Sequence, residues 1–194
     1  MLPLLKMSSF LKQTIKHPRF TGAVLPSSTN LAKLIIQHAD LAAAKFVVEI
    51  GPGTGVFTEH IVNNIPNANN FFTIEINPDF VELMRAKYPK ITTYQDSAEN
   101  ILYLLQNHNQ ARCDRIISGL PWTAFTESMQ ESILEKIHQS LEPGGLFLTF
   151  AYSPFNLLKS GKIFREKLEQ KFDTVYKTKS VLNIPRAFVY VCKK

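Results

Sequence analysis

The chain has 194 residues, of which 45% are hydrophobic and 20% charged, which suits one globular domain with a sizeable core. Its eight glycines and eleven prolines are ordinary counts, so collagen-like, low-complexity and broadly disordered classes are excluded. The net charge of +6 is uneven: residues 1–39 hold five basic and no acidic side chains, residues 155–194 ten against three, and residues 40–154 seven against thirteen. Two basic ends favour an anionic partner, nucleic acid or acidic lipid, and a solvated surface is the alternative.

Cysteine usage and hydropathy limit the compartment. Cys113 and Cys192 lie far apart without the spacing of a zinc site, so we expect free thiols in a reducing compartment and no metal. No apolar run approaches the roughly 18 residues of a membrane-spanning helix. The N-terminal lysines are scattered among apolar residues, and no small-residue cleavage site follows. The sequence therefore predicts a cytoplasmic protein that can still contact a membrane.

Residues 1–19 predict an amphipathic helix. At roughly 100° per residue, four apolar side chains share one face, and no acid interrupts the segment. That face consists of Leu4, Met7, Leu11 and Ile15. Basic side chains point elsewhere and would be attracted to an anionic membrane surface. We expect a membrane anchor here, and the alternative is an apolar stripe that packs on the following domain.

Residues 20–194 alternate predicted strands with predicted helices. Apolar runs predict strands at 46–50, 71–76, 91–94, 114–118 and 146–151. Helical patterns follow near 57–65, 78–88, 98–108, 128–141 and 155–170. Thr126 or Ser128 is expected to cap the fourth of these helices, with Glu131 forming a capping box with Ser128. Residues 174–182 and 187–192 predict a terminal hairpin-like pair, and the alternation indicates a mostly parallel sheet covered on both faces.

The glycine turn EIGPGTG, residues 49–55, carries the first chemical signal. Its glycines at 51, 53 and 55 follow a strand and precede a helix, so the backbone can approach a ligand closely. Val56 stands where a dinucleotide-binding turn would need its third glycine. The spacing, with Glu49 ahead of it, resembles motif I of class I S-adenosylmethionine-dependent methyltransferases. A tight turn without a ligand is the alternative.

This resemblance implies a Rossmann-like α/β fold with a seven-stranded sheet, and S-adenosylmethionine as the cofactor. Glu75, at the end of the second strand, is placed to accept hydrogen bonds from ribose hydroxyls. Residues 96–98, Asp-Ser-Ala, resemble the family's adenine-binding element. The expected cofactor residues are Gly22, Ser27, Ser28, Glu49, Gly51, Gly53, Thr54, Gly55, Glu75, Ile76, Asp96, Ser97, Ala98 and Ser118.

The loop after the fourth strand, residues 118–122, reads SGLPW and resembles two patterns. In adenine N6-methyltransferases, including the ribosomal RNA dimethylases, an Asn-Leu-Pro-Tyr motif holds the exocyclic amine. Here Gly119 occupies the Asn position, so that contact is lost unless Ser118 or a backbone carbonyl replaces it. The string SGLP is instead similar to the small bacterial phospholipid N-methyltransferases. A Gly-Pro turn with Trp122 packed in the core is the alternative.

Two further stretches resemble the phospholipid N-methyltransferases. Residues 20–32 contain TGAVLPSS, and residues 183–190 are similar to the pattern Asn-x-Pro-Pro-Ala-x-Val-Tyr, with Arg186 in place of the second proline. The resemblance implies methylation of phosphatidylethanolamine and its methylated derivatives towards phosphatidylcholine. We also expect a monomer, peripherally associated with the inner face of an anionic membrane, although the sequence does not fix the oligomeric state. The alternatives are an RNA adenine or other amine methyltransferase, for which RNA is a partner, and a non-catalytic cofactor-binding module.

The expected mechanism is positioning, because the attacking amine must be neutral and in line with the methyl group. We expect Ser118 and main-chain carbonyls near Gly119 and Leu120 to orient the amine. Trp122, with Tyr152 or Tyr190, would form an aromatic wall for the cationic product; tyrosines in the core are the alternative. The expected catalytic residues are Ser118, Gly119, Leu120, Pro121, Trp122 and Tyr190. The five histidines mostly lie on predicted helices or loops without a partner, so the sequence identifies no certain general base, and bulk water or a tyrosine is the expected proton acceptor.

Overall fold

The computed structural model describes residues 29–183 and 185–194. The strands are β1 (Val47–Ile50), β2 (Phe71–Glu75), β3 (Thr92–Gln95), β4 (Cys113–Ser118), β5 (Leu141–Tyr152), β6 (Thr174–Lys177) and β7 (Ala187–Lys193). The α-helices are α1 (Thr29–Ala39), α2 (Val56–Val62), α3 (Pro78–Lys87), α4 (Ile101–Gln106), α5 (Glu127–Ser140) and α6 (Lys159–Lys171). The predicted helix 1–19 and the predicted cofactor residues Gly22, Ser27 and Ser28 lie outside the described residues and stay predictions.

The seven strands form one sheet in the order β3-β2-β1-β4-β5-β7-β6. Strands β1 to β5 are parallel, and β7 runs antiparallel between β5 and β6. The predicted Rossmann-like, mostly parallel sheet is confirmed. Because the strand order reverses between β1 and β4, the crevice at their carboxyl ends is where folds of this kind bind ligands.

Apolar side chains on both faces of the central strands explain why helices cover both faces. Val48, Ile116 and Phe147 belong to one buried cluster, which includes residues of α4, α5 and α6. Val47 and Ile117, their neighbours along the strands, belong to a second cluster with residues of α1 and α2. Successive strand residues point to opposite faces, so the two clusters lie on opposite sides of the sheet and hold it between two helical layers.

Local capping confirms one predicted helix start and corrects another. Helix α3 follows the Asn77 cap, whose side chain accepts a hydrogen bond from the Asp79 N–H at 3.0 Å. Helix α5 is capped by Thr126 through the Met129 N–H at 3.3 Å. The predicted Ser128–Glu131 capping box is wrong. Ser128 already lies inside the first turn, and the Glu131 carboxylate instead accepts from Lys171 of α6 at 2.7 Å.

The carboxyl-terminal third also differs in detail from the prediction. The helix expected near residue 155 begins at Lys159, because Phe155–Leu157 form a separate 3₁₀ turn. The hairpin-like pair is confirmed, although its first strand ends at Lys177 rather than near 182. Both cysteines are free and buried, and burial raises the pKa of each thiol. Within the described residues, no helix is long and apolar enough to cross a membrane.

Candidate cofactor and substrate site

The glycine turn links β1 to α2 through backbone that favours glycine. Gly51, Gly53 and Gly55 have φ angles of 70°, 56° and 80°, in the left-handed region that other residues rarely adopt. The Gly51 N–H donates to the Ile74 carbonyl at 2.8 Å, which ties the turn to the neighbouring strand. A Cβ at Gly53 would meet no described atom within 4 Å. The turn is therefore fixed at its base and open beside Gly53.

Glu75 lies at the end of β2 and contacts this turn. Its Oε2 accepts from the Gly53 N–H at 3.2 Å, and its Oε1 accepts from the Ile76 and Asn77 N–H groups at 2.8 and 2.9 Å. Burial raises the pKa of Glu75, and these three backbone hydrogen bonds oppose that rise. The structure thus brings Glu75 and Gly53 together at the carboxyl edge of the sheet.

Glu49 is buried at the base of the same turn. Its Oε2 accepts from the Thr58 hydroxyl at 2.6 Å, whereas its Oε1 has no hydrogen-bond partner among the described residues. Burial raises the pKa of Glu49 to about 8; the Thr58 hydrogen bond opposes this rise, and repulsion from Glu75 adds to it. The carboxyl group is therefore largely protonated at neutral pH. Its orphaned oxygen is a polar atom that a bound ligand can satisfy.

The predicted adenine-binding element directly follows β3. Asp96 Oδ1 accepts from the Ser97 N–H and from the Asn100 side-chain amide, both at 2.7 Å. The Asp96 N–H donates to the Glu75 carbonyl at 3.1 Å. Ala98 and Ser97 are buried. The element adjoins the end of β2, so the predicted cofactor residues of the glycine turn, of 75–76 and of 96–98 lie at the ends of three adjacent strands.

The SGLPW loop follows β4 and packs against the glycine turn. Ser118 is buried, its Oγ accepts from the Leu120 N–H at 3.2 Å, and its carbonyl accepts from the Thr149 hydroxyl at 3.3 Å. The Gly119 N–H donates to the Ile50 carbonyl at 2.8 Å. A Cβ at Gly119 would lie only 2.3 Å from the Gly51 carbonyl oxygen, so no side chain fits on this backbone. The predicted substrate loop and the predicted cofactor turn are therefore in contact.

The aromatic residues of the prediction lie in the core. Trp122 is buried, its indole N–H donates to the Thr149 hydroxyl at 2.9 Å, and its ring stacks on Phe164 with centroids 4.8 Å apart. Tyr190 is also buried, with its ring edge-on to Phe164 at 6.3 Å. Tyr152 is half-buried at the end of β5. Trp122 and Tyr190 are therefore packed in the core, as the alternative interpretation of the sequence expects. Their contact with a substrate stays a prediction.

The remaining predicted site residues lie in or next to the glycine turn and the SGLPW loop. Thr54 is exposed at the tip of the glycine turn, and Ile76 and Leu120 are half-buried beside it. Pro121 precedes a short 3₁₀ turn at Trp122–Ala124. Two of the five histidines have a side-chain hydrogen-bond partner: His38 bonds Tyr176 at 3.2 Å and His108 bonds Tyr94 at 3.1 Å. Both hydrogen bonds join side chains outside the glycine turn and the SGLPW loop.

Sequence reasoning missed two buried threonines that organise the site. Thr58 is the hydrogen-bond donor to Glu49, and Thr149 connects Trp122 to the Ser118 carbonyl. Each had a signal in the sequence: Thr58 neighbours Phe57 near the start of a helix, and Thr149 interrupts the apolar strand LFLTFA. A polar side chain within an apolar pattern requires a hydrogen-bond partner.

The described residues fit S-adenosylmethionine. The turn is open beside Gly53, the buried Glu49 oxygen lacks a partner, and the Glu75 carboxyl group borders the same turn. Among the residues that the structure describes, no group of His, Cys, Asp and Glu side chains could hold a metal ion.

Solved structures and relatives agree with this assignment. An O-methyltransferase from Bacillus cereus, solved in complex with SAH, superposes with a TM-score of 0.65 at 14% identity, over 96% of this chain and 90% of that one. The fold and the sequence motifs define a class I S-adenosylmethionine-dependent methyltransferase, and the predicted class and cofactor are confirmed. A family model described as ribosomal RNA adenine dimethylase matches residues 16–150, and the chain belongs to this family.

Two curated relatives bear different names. The ornithine lipid N-methyltransferase of Singulisphaera acidiphila is 25% identical over 187 residues, which cover 95% of this chain and 94% of the relative. The ribosomal RNA small subunit methyltransferase A of Thermotoga maritima is 24% identical over 185 residues, which cover 94% of this chain and 62% of the relative. The chain therefore spans nearly all of the lipid-modifying relative and less than two thirds of this ribosomal RNA methyltransferase.

Proposed function

We propose that this methyltransferase acts on the amine of a lipid head group, converting phosphatidylethanolamine and its methylated derivatives towards phosphatidylcholine. The observation that carries the proposal is the contact between Gly119 and the Gly51 carbonyl. In the base-methylating pattern, an Asn at this position holds the adenine amine. On the backbone described here, an Asn side chain would collide with the glycine turn. The loop therefore supplies hydroxyl and carbonyl groups, without a side-chain amide at this position.

The similarity to the ornithine lipid N-methyltransferase supports a lipid substrate. Ornithine lipid and phosphatidylethanolamine share one reactive feature, a primary aliphatic amine on an amphiphile. Such an amine is a strong nucleophile when neutral, so it depends on orientation more than on activation. Phosphatidylethanolamine remains our proposed acceptor, and ornithine lipid is the comparison that a substrate assay must include.

The mechanism assigns roles to this chain's own residues. Bound S-adenosylmethionine would supply an electrophilic methyl group on a sulfonium. The glycine turn and Glu75 would hold it, with the Glu49 oxygen available to one of its polar groups. The Ser118 hydroxyl and the carbonyl of Gly119 would orient the neutral amine. The ammonium form of the lipid would first give a proton to solvent, because only the neutral amine has the lone pair that can accept the methyl group.

An RNA substrate is the second candidate, and the family match over residues 16–150 favours it. The ribosomal RNA methyltransferase relative and the basic ends of the chain point the same way. A positively charged surface binds phosphates without regard to their source. The two candidates therefore differ in the acceptor rather than in the cofactor site, and a direct labelling experiment separates them.

The experiment incubates the purified full chain with methyl-labelled S-adenosylmethionine and one acceptor at a time: phosphatidylethanolamine vesicles, ornithine lipid vesicles or bulk RNA. We expect label in phosphatidylethanolamine, and mass spectrometry of the extracted lipid then counts the methyl groups. Glu75→Ala serves as the control for transfer that depends on the site. Label in ornithine lipid alone would show that ornithine lipid, and not phosphatidylethanolamine, is the substrate. Label in RNA alone would overturn the lipid assignment. Label in no acceptor would contradict both candidates.

A further inference from the structure

We propose that two loops beside the site form a surface that docks on an anionic lipid bilayer. The first loop, residues 153–158, connects β5 to α6, and the second, residues 178–186, connects β6 to β7. We call them the docking loops. The inference rests on the proposed lipid substrate for its purpose, but vesicle binding is measured without methyl transfer and so tests it separately.

The two docking loops start from one end of the sheet. Tyr152 of β5 pairs with Ala187 of β7, and the Ser153 N–H donates to the Arg186 carbonyl at 2.8 Å. This is the carboxyl end of β5, on the same edge as the end of β4, where Ser118 pairs with Thr149. The docking loops therefore lie on the edge of the sheet that carries the SGLPW loop.

Large apolar side chains protrude from both docking loops. Leu157, Leu158 and Leu182 are 63%, 57% and 71% exposed, and Phe155 is 38% exposed. Single exposed leucines are normal on protein surfaces, but several at one place indicate an interaction site. Four such side chains on two adjoining loops therefore need a partner.

The first docking loop presents its leucines from a hydrogen-bonded backbone. The Leu157 N–H donates to the Pro154 carbonyl at 2.8 Å, and the Leu158 N–H donates to the Phe155 carbonyl at 3.1 Å. Gly161 lies so close to the turn that a Cβ there would be 2.7 Å from the Asn156 Cα. The leucines are therefore held outward by hydrogen bonds and close packing.

Charge identifies the partner. The described residues of the docking loops contain two basic and no acidic side chains, Lys179 and Arg186. Two more basic side chains, Lys159 and Lys162, follow the first docking loop in the first turn of α6. All four are exposed. Leucines flanked by cations match an interface in which apolar side chains enter the acyl boundary and cations bind anionic head groups. RNA would instead favour aromatic side chains on which bases stack, and the exposed side chains here are mainly leucines.

The start of α1 lies beside the second docking loop. The Asn30 side-chain amide, at the start of α1, donates to the Leu182 carbonyl at 3.3 Å. Residues 1–19 carry four basic and no acidic side chains. The second docking loop therefore contacts the start of α1, the helix that follows the predicted membrane anchor in the sequence. Residues 1–28 are the alternative occupant of the apolar surface, and the test below includes them.

The test is flotation of the full chain with vesicles of phosphatidylglycerol and phosphatidylethanolamine, compared with neutral phosphatidylcholine vesicles. The variant Leu157→Asp/Leu158→Asp is expected to bind the anionic vesicles about tenfold less, because two apolar side chains no longer enter the interface. Its matched control is Leu83→Asp/Tyr103→Asp, which changes exposed apolar residues on α3 and α4 by the same charge. The control should bind like the wild-type chain.

Equal binding by the variant, the control and the wild-type chain would overturn the proposal. Faster proteolysis of residues 1–28 in the leucine variant without vesicles, with unchanged vesicle binding, would assign the surface to the chain's own N-terminal segment and also overturn it. A leucine variant that binds RNA less well but binds vesicles like the wild-type chain would also overturn the proposal. If the leucine variant loses vesicle binding while the wild-type chain labels no lipid, the docking surface stands and the proposed substrate fails.

Discussion

Replacing Gly119 with alanine is the sharpest test of the contact between the substrate loop and the glycine turn. The added Cβ would lie 2.3 Å from the Gly51 carbonyl oxygen. Carbon and oxygen in contact are normally about 3.3 Å apart or more. The two segments must therefore separate by about 1 Å to accept one methyl group.

Separating the two segments would stretch the backbone hydrogen bonds that hold each of them to a neighbouring strand. The Gly119 N–H is bonded to the Ile50 carbonyl and the Gly51 N–H to the Ile74 carbonyl, each at 2.8 Å. Overpacking of this kind costs about 1–3 kcal/mol of unfolding free energy. A displacement of about 1 Å between reacting groups lowers the methylation rate about 100-fold. We therefore expect Gly119→Ala to stay folded and to transfer the methyl group about 100-fold more slowly.

The assays are urea unfolding and methyl transfer with saturating S-adenosylmethionine. Gly144→Ala is the matched control, because its φ of 79° adds strain while the nearest atom to the new Cβ lies 3.9 Å away. This control should lose about 1–2 kcal/mol of stability and keep its activity. Wild-type stability together with wild-type activity in Gly119→Ala would refute the steric reasoning.

Three further predictions concern buried polar groups. Burial raises the pKa of Glu49 from 4.5 to about 8. Its contribution to the unfolding free energy is therefore fully present below pH 4.5 and is lost as the pH rises to about 8. In urea unfolding, Glu49→Gln should flatten this decline of stability with pH, and an unchanged pH dependence would contradict the reasoning. Glu75→Gln should weaken binding of S-adenosylhomocysteine about tenfold in calorimetry, and equal affinity would exclude the Glu75 carboxylate from the cofactor site. Trp122→Phe removes the hydrogen bond to Thr149 and should cost about 1–2 kcal/mol of unfolding free energy, which unchanged stability would disprove.

The strand pattern was predictable because the central strands are buried on both faces. Short apolar runs mark β1, β2 and the second half of β5, and the turn glycines mark where β1 ends. Periodicity and turn residues are local properties, so one sequence suffices to read them. The positions of Glu75 and Asp96 at successive strand ends followed from the same pattern.

Contacts between distant segments were not predictable. Gly119 meets Gly51 only because β1 and β4 pair in a register that sets Ile50 beside Ser118. Glu131 does not form the predicted capping box, and its carboxylate instead accepts a hydrogen bond from Lys171 on another helix. In each case the deciding atom lies far away in the sequence, where neither spacing nor propensity carries a signal.

The position of β7 between β5 and β6 constrains how the protein assembles during synthesis. Strand β6 is translated before β7, yet among the described strands β7 is its only neighbour. Until β7 leaves the ribosome, β6 has no partner and the backbone groups along one side of β5 stay unpaired. Open strand edges of this kind recruit other chains. A ribosome that stalls before residue 187 would therefore present an open β5 edge to chaperones.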